Sequence, residues 1–330
     1  MARSLRDIRR KMKAIKSTRQ VTKAMELVAA SKMRRAVLNA QMLRRYASAA
    51  SGILERIADV HPDLHPYLTE RPHRKILALL FTSDRGLCGS LNAQLLRAAL
   101  KYIQSVQALP GFEQLDFIAV GKKGQQFLAR NVSPRMHSGD RHVNVSPGFQ
   151  SGGSVIAAFP ALSNHPSFKD ALPIVRLATE SFLAGTYDQV VLLYTDFVSP
   201  LVQEPTVKVL LPFSRTTLKE MLASLLPRRS EKSRSTVNSQ LSTVREYLFE
   251  PSQDQILKAI LPQLTEIQVY QAILEAAASE HSARMVAMRN ASENASDILD
   301  DLTLIYNQTR QGAITAELSE LSGARAALES

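Results

Sequence analysis

A single cysteine, Cys88, stands in a chain of 330 residues. An internal disulfide is therefore impossible, and no Cys-x-x-Cys metal or redox motif exists. Long apolar runs are missing too. The longest, such as residues 76–81 and 190–194, fall far short of the ~20 residues that cross a bilayer. Acidic residues are scarce at the start: residues 1–45 carry fourteen Lys and Arg against two acids, Asp7 and Glu26. The whole chain is only +11, so the remainder is near neutral. A segment this basic implies an anionic partner or a solvated face, and nucleic acid, anionic lipid and an acidic protein all qualify. The N-terminus has no central apolar block, so it does not read as a secretory signal, although its Arg-rich composition alone is compatible with a mitochondrial transit peptide.

Helix breakers are absent from two long stretches. Residues 266–317 contain no proline and one glycine, Gly312. Their apolar or small residues recur at Ile267, Leu274, Ala277, His281, Met285, Met288, Ala291, Ala295, Ile298, Leu302, Ile305 and Thr309. Those steps are mostly three and four, one face of a helix, and the segment alone spans roughly 75 Å. Residues 3–58 behave likewise, with no proline and a stripe at Leu5, Ile8, Met12, Ile15, Thr22, Met25, Ala29, Met33, Ala36, Ala40 and Leu43 that runs on to Ile57. Two amphipathic helices too long for a compact domain, one at each end of the chain, are expected to pair as an antiparallel coiled coil. Their Ala, Met, Thr and Ser content permits close approach but makes a weak zipper, so support from outside is expected over part of the length.

Between them the period changes. Prolines at 62, 66 and 72 form a linker. Strands are expected at 74–82, at 115–120 and, within 187–197, at 190–194, with an edge strand at 206–211. Helices are expected up to 107, at 121–130, at 154–162 and at 174–184. The alternation argues an α/β domain with a mainly parallel sheet, Rossmann-like in class, and a hydrophobic fraction of 45% supplies its core. Residues 213–246 are rich in Ser, Arg and Lys and read as a surface excursion. Ser252 with Gln255 has capping-box spacing for the last helix, and Pro262 predicts a kink. The resulting segments are 1–60 as the first long helix, 73–212 as the α/β domain, 213–250 as a partly helical insertion and 251–330 as the second long helix.

The chemistry is sparse. The 83–92 turn carries Asp84, Arg85, Gly86 and Gly89. A Gly-bearing turn between strand and helix can seat a phosphate, but this one matches neither phosphate-loop pattern, and a tight βα turn is the better reading. Cys88 has no nearby His and reads as packed rather than nucleophilic. His281 lies on the helical stripe and reads as a packed or partner-bonded residue. Asp297, Asp300 and Asp301 read as a solvated or partner-facing side. No cofactor or metal site is expected.

The residues of three segments carry a resemblance. Residues 9–33, ending Lys23-Ala24-Met25-Glu26-Leu27-Val28-Ala29-Ala30-Ser31-Lys32-Met33, the 83–92 turn, and residues 275–290 with 304–315 resemble, in order, the signatures of F-type ATP synthase gamma subunits. The resemblance implies a non-catalytic rotor shaft. Its paired terminal helices would turn inside three alpha and three beta subunits, with its α/β domain against epsilon and the c-ring, and it would meet the membrane only through the complex. It implies that Lys23, Met25 and Lys32 face an acidic beta loop, that Arg310, Gln311 and Thr315 meet a catch on beta, and that residues 313–330 turn in an apical sleeve. It implies the cytoplasmic face of a bacterial plasma membrane, or a thylakoid membrane in a photosynthetic source. The basic N-terminus matches the shaft itself, which favours a bacterial protein over one with a mitochondrial presequence. Photosynthetic relatives carry an insertion near 213–250, and a thiol switch there is excluded because this segment has no cysteine. The alternative is a nucleic-acid-binding α/β protein with a basic coiled arm.

Overall fold

The computed structural model describes residues 5–57, 65–72, 74–131, 153–159, 166–213 and 253–328. The expected excursion at 213–246 lies almost wholly outside these residues. Two compact units are present: residues 1–31 with 284–330, and residues 32–283. Ten elements follow in order: α1 (Leu5–Ile57), β1 (Lys75–Phe81), α2 (Leu91–Gln107), β2 (Gln114–Val120), α3 (Lys122–Asn131), β3 (Val155–Phe159), α4 (Phe168–Leu183), β4 (Gln189–Phe197), β5 (Gln203–Leu211) and α5 (Gln253–Leu328).

In the larger unit a five-stranded sheet runs β3-β2-β1-β4-β5. All pairings are parallel except β4 with β5. β1 lies at the centre, and every residue from Ile76 to Phe81 is buried, as expected for a strand covered on both faces. Alternate residues divide between two cores. Ile76, Ala78 and Leu80 meet Leu95, Ala99 and Ile103 of α2 and Leu128 of α3. Leu77, Leu79 and Phe81 share the other core with Ile174, Ala178 and Phe182 of α4 and Leu261, Leu264 and Ile273 of α5. Burying a side chain such as Phe182 stabilises the fold by about 1.5–3 kcal/mol.

Two expectations fail. Residues 154–162 were expected to be helical, yet Val155–Phe159 is a parallel edge strand on β2. Its Val-Ile-Ala-Ala-Phe run has no helical period, and Asp116 pins its entrance. Helix α4 begins at Phe168, six residues before the expected start, and carries Pro173 inside it. Pro173 is the sixth residue of the helix, so its missing N–H leaves the Lys169 carbonyl without that intrahelical bond, yet the helix runs on through it. At the first turn the Asp170 carboxylate accepts hydrogen bonds from the Ser167 N–H (2.8 Å) and hydroxyl (3.0 Å). α5 continues through Pro262 as one helix.

Asp116 is the buried polar centre of this unit. Its carboxylate accepts from Tyr187 Oη (2.6 Å), Gln114 Nε2 (2.5 Å), and the Ser154 N–H (2.7 Å) and Oγ (3.0 Å). Asp116→Ala leaves those donors without an acceptor and is expected to cost about 3 kcal/mol, against about 1 kcal/mol for Tyr187→Phe, read from urea midpoints. Burial, and then the bond to Asp116, hold the Tyr187 phenol well above its usual value, and burial pushes Tyr102 up to about 12. Phenols raised in the folded state favour the neutral form there. Their contribution is complete below the unfolded value of about 10 and is lost as pH climbs towards the folded values. Urea midpoints are therefore expected to be flat from pH 8 to 9.5 and to fall above pH 10, with a smaller fall in Tyr187→Phe.

Candidate functional site

In the smaller unit α1 and α5 face each other. Arg9 Nη2 donates to Tyr306 Oη (2.6 Å), Arg19 Nη1 donates to Ser296 Oγ (3.3 Å), and Thr22 Oγ1 lies 2.7 Å from Ser292 Oγ. As the α1 number rises the α5 number falls, so the helices are antiparallel. The facing numbers add to 315, 315 and 314, which is one continuous register. Ile8, Thr22 and Ala29 are buried on α1, and Met288, Ser292, Ala295 and Leu302 on α5.

The expected stripe of α1 is met: every residue named between Leu5 and Leu43 is buried or half-buried. On α5 the stripe slips. Ile298 and Ile305, expected inside, are 47% and 36% exposed. The inward positions are 288, 292, 295, 299, 302, 306, 309 and 313, a strict alternation of four and three. A two-helix seam holds a 3.5-residue period over many turns. That period selects Ser292, Leu299 and Tyr306 over their more apolar neighbours, and it was the signal available in the sequence.

The seam is polar at its middle. Thr22 Oγ1 also lies 3.0 Å from Arg19 O, and Ser292 Oγ 2.9 Å from Met288 O. Two hydroxyl protons meet three such contacts. One hydroxyl therefore donates across the seam while the other donates to its own helix. Glu26, which sequence reasoning missed, occupies a seam position with its side chain only 14% exposed, and it accepts from Lys23 Nζ at 3.0 Å. On the facing helix, the bond to Glu293 raises the Arg289 guanidinium above its usual value, and the charge of Glu26 adds to the shift.

The other named residues are placed as follows. Lys23 is exposed and Met25 is half-buried beside the seam. Lys32 belongs to the other unit and is half-buried. Arg310, Gln311 and Thr315 are exposed, and Thr315 Oγ1 donates only to the Gln311 carbonyl one turn back, at 3.0 Å. In this register α1 ends opposite Arg310. From Gln311 to Leu328, roughly 27 Å, the described residues of α1 offer α5 no partner, and Ile314, Leu318 and Leu321 are exposed. Asp297, Asp300 and Asp301 are exposed and His281 is buried, as expected.

In the larger unit the 83–92 turn leaves the carboxyl end of β1 beside β4, where the strand order reverses and ligands bind in many α/β sheets. Here the turn is filled by its own side chains. Asn92 Nδ2 donates to Ser83 Oγ (2.7 Å) and to Cys88 Sγ (3.3 Å), and the Ser83 N–H donates to Asn92 Oδ1 (3.2 Å). Cys88 is buried in this knot. Asp84 Oδ1 accepts the Lys122 N–H at the start of α3 (2.9 Å), so its carboxylate caps that helix. Arg85 and Gly86 are exposed. Ser279 and Ser282 of α5 donate to the Thr195 (3.1 Å) and Pro200 (2.7 Å) carbonyls, closing over the end of β4. Among the described residues no His, Cys, Asp or Glu cluster could hold a metal ion.

A doubly wound α/β unit together with a unit of two antiparallel helices defines the class of this protein. A family model described as ATP synthase matches residues 4–328. An ATP synthase gamma chain from Roseiflexus castenholzii is 39% identical over 328 residues, covering 98% of each chain. One from Legionella pneumophila is 33% identical over 324 residues, covering 98% of this chain and 99% of the relative. The chain belongs to the ATP synthase gamma chain family. Similar folds occur in a Tetrahymena thermophila mitochondrial ATP synthase central stalk and c-ring structure (TM-score 0.52, 24% identity, 82% of this chain and 99% of that one). Another occurs in a Euglena gracilis mitochondrial ATP synthase OSCP, F1 and c-ring structure (TM-score 0.58, 20% identity, 98% and 94%).

The glycines of the turn give a direct test of its chemistry. Gly86 has open space around it, Gly89 has φ +59, and a Cβ on Gly121 would fall on the Thr82 carbonyl. Gly86→Ala is expected to change stability by less than about 0.5 kcal/mol, Gly89→Ala to cost about 1–2 kcal/mol, and Gly121→Ala to cost more than either. Urea unfolding of the three variants gives the order.

Proposed function

We propose that this chain is the central rotor shaft of an F-type ATP synthase and carries no catalytic group of its own. The observation that carries the reading is the antiparallel helix pair whose longer member runs on as a single exposed helix, in a chain of this family. A stiff asymmetric rod couples rotation to chemistry through differential contact. A face that touches one conformation of a catalytic subunit better than another shifts that subunit's equilibrium by the difference in contact energy. The partners are three alpha and three beta subunits around the helices, with epsilon and the c-ring at the α/β unit, on the cytoplasmic face of a bacterial membrane. No nucleic acid and no cofactor enter the reading.

Lys23, Met25 and Lys32 are assigned to an acidic beta loop. The exposed basic surface of α1 supports that assignment, because opposite charge speeds and orients encounter. Lys23 is shared with Glu26, so its ammonium would be exchanged between partners rather than gained. Arg310, Gln311 and Thr315 are assigned to the catch on beta, supported by their exposure where α5 runs alone.

Purification of the native complex tests the whole reading: this chain is expected to travel with nucleotide-binding subunits. A free chain that shifts duplex DNA in a salt-sensitive way would support the nucleic-acid alternative instead. Met25→Lys is expected to leave assembly intact and lower proton pumping per ATP hydrolysed, because it adds a charge beside Lys23. Arg310→Ala is expected to slow turnover roughly tenfold, the loss of one charged hydrogen bond, or to weaken subunit retention. Wild-type pumping ratio and wild-type turnover with full retention would refute these two assignments.

A further inference from the structure

Arg9 and Tyr306 stand apart from the other contacts of the helix pair. Arg9 Nη2 donates to Tyr306 Oη, and the same guanidinium lies over the ring, 5.6 Å from its centroid. Tyr306 is half-buried at the inward position that follows Leu299 and Leu302 in the four-three alternation, and its hydroxyl accepts from Arg9. Of the three cross-helix bonds described above, this one lies nearest the start of α1. Four residues on, one turn along the same face, stands Arg310, where α5 begins to run alone. Exposed polar and cation–π contacts are individually weak, so the pair contributes little to folding. Its geometry does more. A planar fork bonded to the hydroxyl of a half-buried ring restrains the rotation of one helix on the other, which an apolar seam of small residues leaves loose.

We propose that Arg9 and Tyr306 are a positioning pair that locks the register and rotation of α1 on α5 at the point where two helices become one, and so fixes the direction in which Arg310 and the residues after it point. This rests on the rotor reading for its consequence but not for its geometry. A surface contact of no consequence and a positioning pair differ in what they move. The first changes neither rotation nor coupling. The second loosens the end of α1 and loses coupling at unchanged folding stability.

The test uses the assembled enzyme in proteoliposomes with Tyr306→Phe, which keeps the ring and removes the acceptor, with Arg9→Lys, which keeps the charge and removes the fork, and with both together. Assembly, ATP hydrolysis and melting temperature are expected to match wild type. Proton pumping per ATP is expected to fall about threefold in each single variant, with no further fall in the double variant. Amide exchange over residues 5–12 is expected to quicken about threefold in all three. Wild-type pumping with wild-type exchange would overturn the proposal, and so would a double variant whose loss is the product of the singles. If a variant fails to assemble, amide exchange on the full free chain decides the matter: equal quickening in both single variants supports the pair, and none overturns it. A wild-type chain that joins no ATP synthase would sink the rotor reading and leave the exchange result to judge the pair.

Discussion

The structure depends on one narrow seam between two helices. Each helix is far too long for a compact domain, and in the smaller unit each buries only a single stripe. That stripe is built from residues that bury little surface. Ala29 and Ala295 supply small contacts, and Thr22 and Ser292 put hydroxyls where a zipper would put leucine. At about 25 cal/mol per Å2, such a seam adds modest stability for each turn it covers. Its value is geometric. The strict four-three alternation, the Thr22–Ser292 contact and the Arg9–Tyr306 pair each select the same register, so the helices hold one alignment although no single contact is strong. A rod of this kind resists twist along its seam while its outer surface stays free for other chains.

The α/β unit solves a different problem with the same long helix. Residues 261–273 of α5 lie in the sheet's own core, and Ser279 and Ser282 tie the helix to the end of β4. The helix is thus an integral layer of the domain rather than an attachment to it. The point where ligands enter many such sheets is taken up by Ser83, Cys88 and Asn92 bonding to one another. The enzyme-like turn of the sequence is a structural knot, and its acidic residue is a helix cap.

Much of this was legible in the sequence because periodicity is a strong signal over fifty residues. The α1 stripe is met at every named position through Leu43, and the strands around Ile76–Phe81 and Val190–Tyr194 are apolar on both faces and too short to be helices. Where reading failed, a second rule outranked hydrophobicity. On α5 the coiled-coil period placed Leu299 and Tyr306 inward and left Ile298 and Ile305 outside. At Val155–Phe159, pairing with β2 and the anchor at Asp116 made a strand of a segment with no period. Pro173 hid the true start of α4 because a proline reads as a helix boundary, whereas here the Ser167–Asp170 capping box starts the helix before it and the helix runs through it. Glu26 was invisible as a seam residue because a carboxylate paired with its own helix looks, in sequence, like any solvated acid.

The central claim is that, within the smaller unit, α1 and α5 pack antiparallel in a single register. Cross-linking Thr22→Cys to Ser292→Cys within the assembled enzyme tests it most directly, since the native Cys88 is buried. The account predicts rapid disulfide formation in the double variant, none in either single variant, and ATP-driven proton pumping that continues with the bond closed, because both helices turn together. No cross-link under oxidising conditions, or pumping abolished by closure and restored by reduction, would contradict it.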